Sequence, residues 1–447
     1  MFSLKAQTTR AFFVKDIQIM GNKKTKDNII IREMAFRVGD TLNNLEYSID
    51  QSRRQLLNLF LFNEVEIKAE DSIVLVKVTE RWYIWPSPKL TYADRNINQW
   101  LLTKDPKRLI YGTDIEWYNF RGRNETIKLN LRMGYTRLAN LNYMMPYFNK
   151  KQSWGLNFIV NYSDNKEVWY KTEDNKVRFF NDNNTHLINR KGIEVAAIHR
   201  KAIFNYHRFY AGHRQVSVAD TIVKREVNAN YLLNQAVNQK ETYFGYSFTF
   251  DKRDFKGYPL RGMMVKLNVE NSVFFGQNLV SQTVKGSVSK YVKLYKNIYN
   301  ASFFGFRWMQ FNKNAPIPYN KITALGYDRD YIRGYELYVI DGAHFGLAKT
   351  EFKYRIFERK TKFVSKVRNY EKANVAVFLT AFADAGYVQN NNTSNLLLNN
   401  NTMPNSLQYG YGAGINCVLF YDYLVRIEFA QNKINDHRFY LSFITAI

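Results

Sequence analysis

Cysteine is nearly absent from this 447-residue sequence, in which Cys417 is the single example. One thiol excludes an internal disulfide framework and any metal site built from several thiolates. The six histidines show neither HExxH-type spacing nor a His/Cys ligand pattern. No GxxxxGK[ST] phosphate-binding loop and no GxSxG nucleophile motif occurs. The sequence therefore predicts no cofactor and no metal, and it argues against an enzyme.

Long hydrophobic runs are absent as well, since no segment approaches 18 consecutive apolar residues. Helical membrane spans are thereby excluded, because each needs about 20 such residues. Aromatic residues nevertheless make up 16% of the chain, while the mean hydropathy is −0.42. An aromatic-rich chain that is polar on average is typical of an outer-membrane β-barrel, in which apolar and polar residues alternate.

Acidic residues are few relative to basic ones, and the formal net charge is +25. Nucleic-acid binding is one interpretation of such a balance. Here, however, lysine and arginine are spread through alternating strand patterns instead of being gathered on one helix or patch. A polar barrel lumen and anionic lipid headgroups are the better explanation, so nucleic acid is not an expected partner.

The first 83 residues combine two helical patterns with three strand-like segments. Residues 1–10 are expected to be the remnant of a signal peptide or a disordered start. A small domain is expected over residues 11–83, where Gly21-Asn22 marks a turn and Thr25 is a candidate helix N-cap. Its predicted order is β-α-α-β-β, with elements at residues 12–19, 27–36, 45–59, 63–68 and 73–80.

From residue 84 onward the hydrophobic period changes to two, which gives each strand one face for lipid and one for a wet lumen. Residues 84–447 are therefore predicted to form a transmembrane β-barrel of sixteen antiparallel strands. An even count returns the C-terminus to the periplasmic side, and closure leaves no backbone group unpaired in lipid. The strands are expected at 84–94, 107–119, 124–137, 138–148, 152–164, 188–199, 203–217, 240–252, 261–274, 279–294, 298–311, 343–357, 374–388, 407–420, 424–432 and 437–445.

Two connections stand out in composition. Residues 312–342 form the sixth outer loop, between strands eleven and twelve, and hold Arg333-Gly334-Tyr335 among tyrosines and charges. Long loops of this kind in ordered chains are usually functional. On the periplasmic side, the turn at residues 358–373 is rich in lysine and arginine. It is either a solvated charged segment or a docking surface for a partner.

Several motifs resemble a known family. Gly21-Asn22, Leu61-Phe62-Asn63-Glu64-Val65 and the strand ending at Glu80 resemble a polypeptide-transport-associated (POTRA) domain. Ile332-Arg333-Gly334-Tyr335 resembles the sixth-loop motif of the POTRA-plus-barrel superfamily, the bacterial surface antigen family with its BamA, TamA and FhaC relatives. Further segments match motifs of that superfamily in the same order: Asp251, Arg253, Asp254, Pro259, Arg261 and Gly262 between strands eight and nine, Glu351 and Arg355 on strand twelve, and Phe382, Asp384 and Gly386 on strand thirteen.

The resemblance implies that the sixth loop folds back into the lumen and that its arginine pairs with acidic groups of the wall. Strand alternation agrees, because it places Glu351, Phe382, Asp384 and Gly386 on the inner face. We therefore expect Arg333 to contact Asp384, Glu351 or both, since a guanidinium can bind a carboxylate through two hydrogen bonds.

The leading hypothesis is a non-enzymatic assembly, insertion or translocation factor in the outer membrane of a Gram-negative bacterium, with its single POTRA domain in the periplasm. The POTRA sheet edge would bind unfolded outer-membrane or secreted client proteins by strand addition, and the seam between the first and last barrel strands would be a pairing template. Lipid or lipopolysaccharide and periplasmic or lipoprotein subunits are further expected partners. Two alternatives stay open: a two-partner-type secretion pore, and a passive barrel whose POTRA domain recruits partners.

Overall fold

The computed structural model describes residues 11–92, 104, 106–149, 151–182, 186–200, 202–312, 316–328, 330–362, 372–391, 399–419 and 423–445. The predicted leader remnant at 1–10 and the middle of the basic turn therefore lie outside the described residues. Neither helix of the described part is long and apolar enough to cross a membrane.

The N-terminal part is a three-stranded sheet that packs against two helices through one apolar core. Its sheet order is β2 (Asp16–Met20), β5 (Ile73–Glu80) and β4 (Phe62–Glu70), with β2 parallel and β4 antiparallel to β5, so that β2 and β4 are the edges. Apolar side chains from the strands and from both helices form the core, among them Val14, Ile30, Leu56, Phe62 and Val76. The elements are β1 (Phe12–Phe13), β2 (Asp16–Met20), α1 (Asp27–Glu33), β3 (Thr41–Leu42), α2 (Leu45–Leu57), β4 (Phe62–Glu70) and β5 (Ile73–Glu80).

The prediction that Thr25 caps the first helix is wrong. The N-cap of α1 is Lys26, and no side chain caps it. The Thr25 hydroxyl instead lies 2.6 Å from a carboxylate oxygen of Glu80 and 2.9 Å from the hydroxyl of Tyr83. A carboxylate from the end of the sheet thus binds the threonine, and this tertiary contact replaces local capping.

Two element boundaries also differ from prediction, because residues at these boundaries are drawn into the core. The expected first strand is interrupted at Val14, which is buried in the core and whose N–H donates to the carbonyl of Asp40 at 2.9 Å. The helix expected to reach Phe36 ends at Glu33, because the backbone turns extended at Met34. This turn lets Phe36 enter the core, where 1% of its surface is exposed.

The C-terminal part is one sheet of sixteen antiparallel strands, which confirms the predicted number and arrangement. Strands that follow one another in the sheet are neighbours along the chain, apart from two short hairpins inserted in outer loops. The sixteen strands are β6 (Ile84–Tyr92), β7 (Leu109–Phe120), β8 (Glu125–Gly134), β9 (Thr136–Met145), β10 (Trp154–Asn165), β13 (Ile188–His199), β14 (Asn205–Val218), β15 (Asn238–Asp251), β16 (Gly262–Phe275), β17 (Leu279–Tyr295), β18 (Ile298–Phe311), β21 (His344–Lys362), β22 (Lys372–Gln389), β23 (Gln408–Leu419), β24 (Tyr423–Asn432) and β25 (His437–Thr445).

The inserted hairpins lie in loops that the sequence predicts as irregular. The third outer loop contains β11 (Glu167–Glu173) and β12 (Lys176–Asn181), and the sixth contains β19 (Thr323–Leu325) and β20 (Ile340–Asp341). The two loops touch, because the Thr172 hydroxyl lies 3.0 Å from the hydroxyls of Tyr319 and Tyr327.

The basic turn predicted at residues 358–373 is shorter than expected. Strand β21 continues to Lys362 and β22 begins at Lys372, so both ends of this segment belong to the sheet. A bulge after Arg355 shifts the ladder, and it leaves both Ile356 and Phe357 about half exposed on the outer face. The residues between the two strand ends lie outside the described part of the chain.

Candidate functional site

The sixth outer loop folds into the lumen, where its central segment is buried. Arg333 and Tyr335 have 4% and 2% of their surface exposed. Ile332 packs with Leu325 of the same loop and with Leu347 and Val388 of the barrel wall. Apolar packing therefore anchors the loop at Ile332, next to the buried Arg333.

The Arg333 guanidinium binds three carboxylates of the inner wall. Its Nε and Nη2 atoms donate to the two oxygens of Asp384 at 2.9 and 2.7 Å, and its backbone N–H donates to Asp384 Oδ2 at 3.1 Å. Nη1 donates to Glu351 at 2.6 Å and to Glu428 at 3.3 Å. The Phe382 ring lies 3.8 Å from the guanidinium carbon. The structure thus brings together Arg333 with the predicted residues Glu351, Phe382 and Asp384.

The neighbours of Arg333 explain why small residues face it. The Arg333 carbonyl approaches strand β23 so closely that a Cβ on Gly410 would lie 2.0 Å from its oxygen. Gly386 is similarly crowded, with the Ile332 side chain 2.8 Å from where its Cβ would be. The carbonyl of Gly334 accepts from the Asn432 side chain at 2.8 Å, and the Tyr335 hydroxyl lies 3.1 Å from Gln408. The loop thereby reaches β22, β23 and β24.

Sequence reasoning missed Glu428, the third carboxylate. It lies on β24, two strands beyond Asp384, and 2% of its side chain is exposed. Arg426 approaches it at 3.8 Å, and Lys353 approaches Glu351 at 3.6 Å. The inward orientation of Glu428 could be predicted, since alternation on β24 puts both Arg426 and Glu428 on the inner face. What the sequence lacks is any sign that this strand comes within reach of the loop.

The motif between strands eight and nine forms a tight periplasmic turn. Arg253 donates twice to Asp251, at 2.8 Å each, and Asp254 accepts from the N–H of Leu260 at 3.0 Å. Gly262 has φ +105°, and a Cβ there would lie 2.1 Å from the carbonyl oxygen of Lys252. Only glycine fits such a backbone without strain.

This turn enters the same lumen as the sixth loop. Tyr258 is buried, its hydroxyl accepts from Asn416 of β23 at 3.0 Å, and Lys353 lies 4.1 Å from its ring centre. A cavity of about 300 Å³ has both Pro259 and Arg333 in its lining. The two motifs, which lie far apart in the sequence, therefore line one cavity.

The POTRA motif residues lie outside this cavity. Gly21 has φ +89°, and a Cβ there would lie 2.1 Å from the Val78 carbonyl oxygen. Asn22 donates to the Thr25 carbonyl at 2.9 Å and to Asp27 at 2.5 Å, so it fixes the turn before α1. Both residues shape the domain itself.

A buried ion pair holds the POTRA part against the barrel. Glu33 at the end of α1 accepts from Arg200 Nη2 at 2.9 Å, and from the Tyr147 hydroxyl at 2.9 Å. Burial, with Glu33 beside it, raises the pKa of Tyr147, so this hydroxyl stays protonated and can donate. The neighbouring Arg32 donates to the carbonyls of Gln152 and Arg200 at 2.9 and 2.6 Å. No motif of the sequence indicates this contact, which joins residues more than 100 positions apart.

The site holds the sixth loop against the barrel wall through ion pairs. The three carboxylates around Arg333 are held by cations, and in the part of the chain that the structure describes no three His, Cys, Asp or Glu side chains are grouped as metal ligands. The arrangement is a charged brace between a loop and the inner wall.

Comparisons with known proteins agree with this architecture. A family model for the Omp85 superfamily domain matches residues 119–419, and a POTRA model, the surface antigen variable number repeat, matches residues 12–81. A 79-residue segment is 35% identical to the outer membrane protein assembly factor BamA of Neorickettsia risticii (strain Illinois). That segment is 17% of this chain and 10% of that protein, so the match spans about a tenth of the relative's length.

Solved structures show the same fold. BamA from Haemophilus ducreyi lacking POTRA domains 1–3 matches with a TM-score of 0.58 and 14% identity, over 98% of this chain and 85% of that one. CdiB from Escherichia coli matches with a TM-score of 0.57 and 11% identity, over 97% and 76%. CdiB from Acinetobacter baumannii matches with a TM-score of 0.54 and 12% identity, over 97% and 74%.

At 11–14% identity, the solved structures show only that the fold is shared. The family model shows that the chain belongs to the family, because it matches more than half of the chain. The protein is thus a member of the Omp85 superfamily, an outer-membrane β-barrel with a periplasmic POTRA domain.

Proposed function

We propose that this protein inserts client proteins into the outer membrane, with the POTRA sheet edge receiving an extended client and the barrel seam pairing with it. The observation that carries the proposal is the seam itself. Strands β6 and β25 are the two ends of the sixteen-stranded sheet, and within the described residues no ladder joins them. Unpaired backbone groups in lipid cost several kcal/mol each, so such edges favour pairing with another strand.

The seam edge of the first strand, β6, has more hydrogen-bond acceptors than donors. The Tyr118 N–H donates to the Tyr83 carbonyl at 2.7 Å, and Ile84 then faces Trp117. Odd-numbered residues of β6 therefore bond to β7, and even-numbered residues direct their N–H and C=O groups to the seam. Pro86 and Pro88 occupy two of the even positions and have no N–H to donate. The periplasmic half of β6 consequently presents carbonyls with few donors.

The seam edge of the last strand, β25, carries both N–H donors and C=O acceptors. The Asn432 N–H donates to the Asp436 carbonyl at 3.1 Å, and Gln431 faces His437. Even-numbered residues of β25 therefore bond to β24, and the odd-numbered ones, including Phe439, direct N–H and C=O groups to the seam. Strand β25 has no proline, so it can form a full ladder with a client strand, while β6 accepts hydrogen bonds along its periplasmic half.

The POTRA sheet supplies the first binding surface. Strand β2 pairs only with β5 among the described strands, so its other edge is free along Asp16–Met20. Strand addition relies on backbone hydrogen bonds, which tolerate many client sequences. We assign Arg333 and its partners the task of holding the sixth loop against the strands that lead to the seam.

Depletion of the protein tests the proposal. The outer membrane and the culture medium would be compared by quantitative proteomics before and after depletion, with complementation by the unaltered chain as the control. Loss of many β-barrel proteins from the membrane supports insertion. Loss of one secreted protein from the medium would instead indicate a two-partner-type secretion pore, and no change in either fraction would indicate a passive barrel that recruits partners.

A further inference from the structure

The outward faces of β13, β14 and β15 carry two lysines in one row across the strands. Lys191 on β13 faces Gln215 on β14, and Gln215 faces Lys240 on β15. Alternation puts these side chains on the same face as Val195 and Phe244, which are exposed on the outer wall. Two inter-strand spacings separate the backbones of the two lysines, which is about 10 Å.

The lysine row lies at the outer edge of the membrane-spanning band. On the periplasmic side the band ends at an aromatic cluster, in which the ring centre of His199 lies 4.6 Å from that of Trp154 and 6.0 Å from that of His207. The stretch from Lys191 to His199 corresponds to about 20 Å of height at the usual rise and tilt of barrel strands, and the apolar band of such barrels is about 25 Å tall. The row is therefore at the level of the outer-leaflet headgroups.

Aromatic side chains flank the row on both sides. Tyr162 on β10 faces Lys191, and Phe275 on β16 faces Lys240. Both rings are exposed on the outer wall, by 37% and 55%. Aromatic girdles mark the interfaces of outer-membrane barrels, so these rings place the lysines at headgroup level independently of the strand length.

The protein supplies no anionic partner for the two lysines. Both side chains are exposed, and neither forms a salt bridge with the residues that the structure describes. The glutamates of β13 and β15, Glu194 and Glu241, bind arginines on the lumen side. Asp164, on the same face of β10 as Tyr162, is buried and accepts from the Tyr162 hydroxyl at 2.8 Å. A lysine in this position is satisfied by a lipid phosphate.

The rows above and below the lysines differ in chemistry. The row above them consists of two amides and a hydroxyl: Asn189, Ser217 and Asn238. Below them the outer wall becomes apolar, with Ile193, Val195 and Phe244 each at least half exposed. From the outside inwards, the patch thus offers hydrogen-bonding groups for a sugar, cations for phosphate and an apolar surface for acyl chains.

We propose that this patch binds a phosphorylated glycolipid of the outer leaflet, of the lipid A class. Its two phosphates would lie against Lys191 and Lys240, the disaccharide that joins them would span Gln215, and the acyl chains would pack on the apolar wall below. A glycerophospholipid with a single phosphate would leave one of the lysines unpaired. The inference does not depend on the proposed function, because it concerns the lipid around the barrel.

The test is native mass spectrometry of the full chain in detergent, titrated with bisphosphorylated lipid A, monophosphoryl lipid A or phosphatidylglycerol. Bisphosphorylated lipid A should bind most tightly. Lys191→Gln and Lys240→Gln should each weaken its binding at least about tenfold, because a hydrogen bond to a charged group is lost. With monophosphoryl lipid A, one of the two substitutions should lose its effect, because its lysine has no phosphate to bind.

Lys296→Gln is the matched control, since Lys296 is exposed in the turn between β17 and β18, at the periplasmic end of the barrel, and the change in net charge is the same. Equal affinity of this control and the two lysine variants for bisphosphorylated lipid A would overturn the proposal. So would equally tight binding of phosphatidylglycerol, a result that points to a glycerophospholipid. If a variant fails to fold, as judged by its heat-dependent gel mobility, the comparison of the three lipids on the unaltered chain decides.

Discussion

Replacement of Arg333 by methionine should destabilise the sixth loop strongly. Among the described residues the guanidinium is the only salt-bridge partner of Asp384, whose side chain is fully buried. Without it Asp384 loses its ion pair and keeps the backbone N–H of residue 333, while Glu351 keeps Lys353 at 3.6 Å and Glu428 keeps Arg426 at 3.8 Å. The free energy lost in this variant is therefore mainly the stabilisation of the Asp384 carboxylate.

The expected cost is about 3–5 kcal/mol, the usual effect of removing one partner from a buried ion pair. The added change Asp384→Asn should recover much of this free energy, because the stranded charge disappears with it. Arg333→Lys should fall in between, since an ammonium group retains the charge but cannot make the paired hydrogen bonds. Together the three variants distinguish the contribution of the positive charge of Arg333 from that of its paired hydrogen bonds.

Urea titration of the protein in detergent micelles, followed by tryptophan fluorescence, measures the change in unfolding free energy. Limited proteolysis reports release of the loop. Asp330→Asn is the matched control on the same loop, because Asp330 pairs with the half-exposed Lys285 and such pairs contribute at most about 1 kcal/mol. If Arg333→Met costs no more than Asp330→Asn, the brace does not hold the loop and the reasoning is refuted.

Three further changes test other contacts. Glu33→Gln should release the POTRA part, seen as faster protease cleavage at residues 81–83, because Glu33 is buried against Arg200; an unchanged cleavage rate would contradict this. Gly262→Ala should lower the melting temperature clearly more than Gly276→Ala. Both glycines have positive φ, but only Gly262 is crowded by backbone, so equal effects would refute the steric argument. Pro86→Ala combined with Pro88→Ala should strengthen pairing across the seam, detected as more crosslinking between cysteines at Leu90 and Leu441 in a Cys417→Ser background; unchanged crosslinking would show that the prolines do not limit closure.

The barrel could be predicted from the sequence because its physical signal is local. Alternation with period two depends on neighbouring residues alone, and it indicated sixteen strands and the inward direction of Glu351 and Asp384. Thr25 shows the limit of local rules: its hydroxyl could have capped a helix, but Glu80, 55 positions away, binds it instead. Tyr258 shows the same limit for a turn, since nothing in its surroundings predicts that it enters the lumen and meets Asn416.

Two sets of contacts hold the two sides of the seam separately. On one side, the sixth loop binds Glu351 on β21, Asp384 on β22 and Asn432 on β24, and it lies against Gly410 on β23. It also reaches β25, whose Tyr440 hydroxyl donates to the Gly334 carbonyl at 3.4 Å. On the other side, the POTRA part binds the turns that join the early strands.

These POTRA contacts begin close to the first strand. The Asn119 side chain donates to Thr25 at 2.8 Å, the Lys26 N–H donates to the Gly122 carbonyl at 3.0 Å, and Glu33 binds Arg200. The free edges of β6 and β25 therefore belong to separately braced halves of the sheet. A client that binds the POTRA part pulls on the half that contains β6, while the sixth-loop contacts hold the half that contains β25. The two braces thus direct strain to the boundary across which the described residues form no ladder.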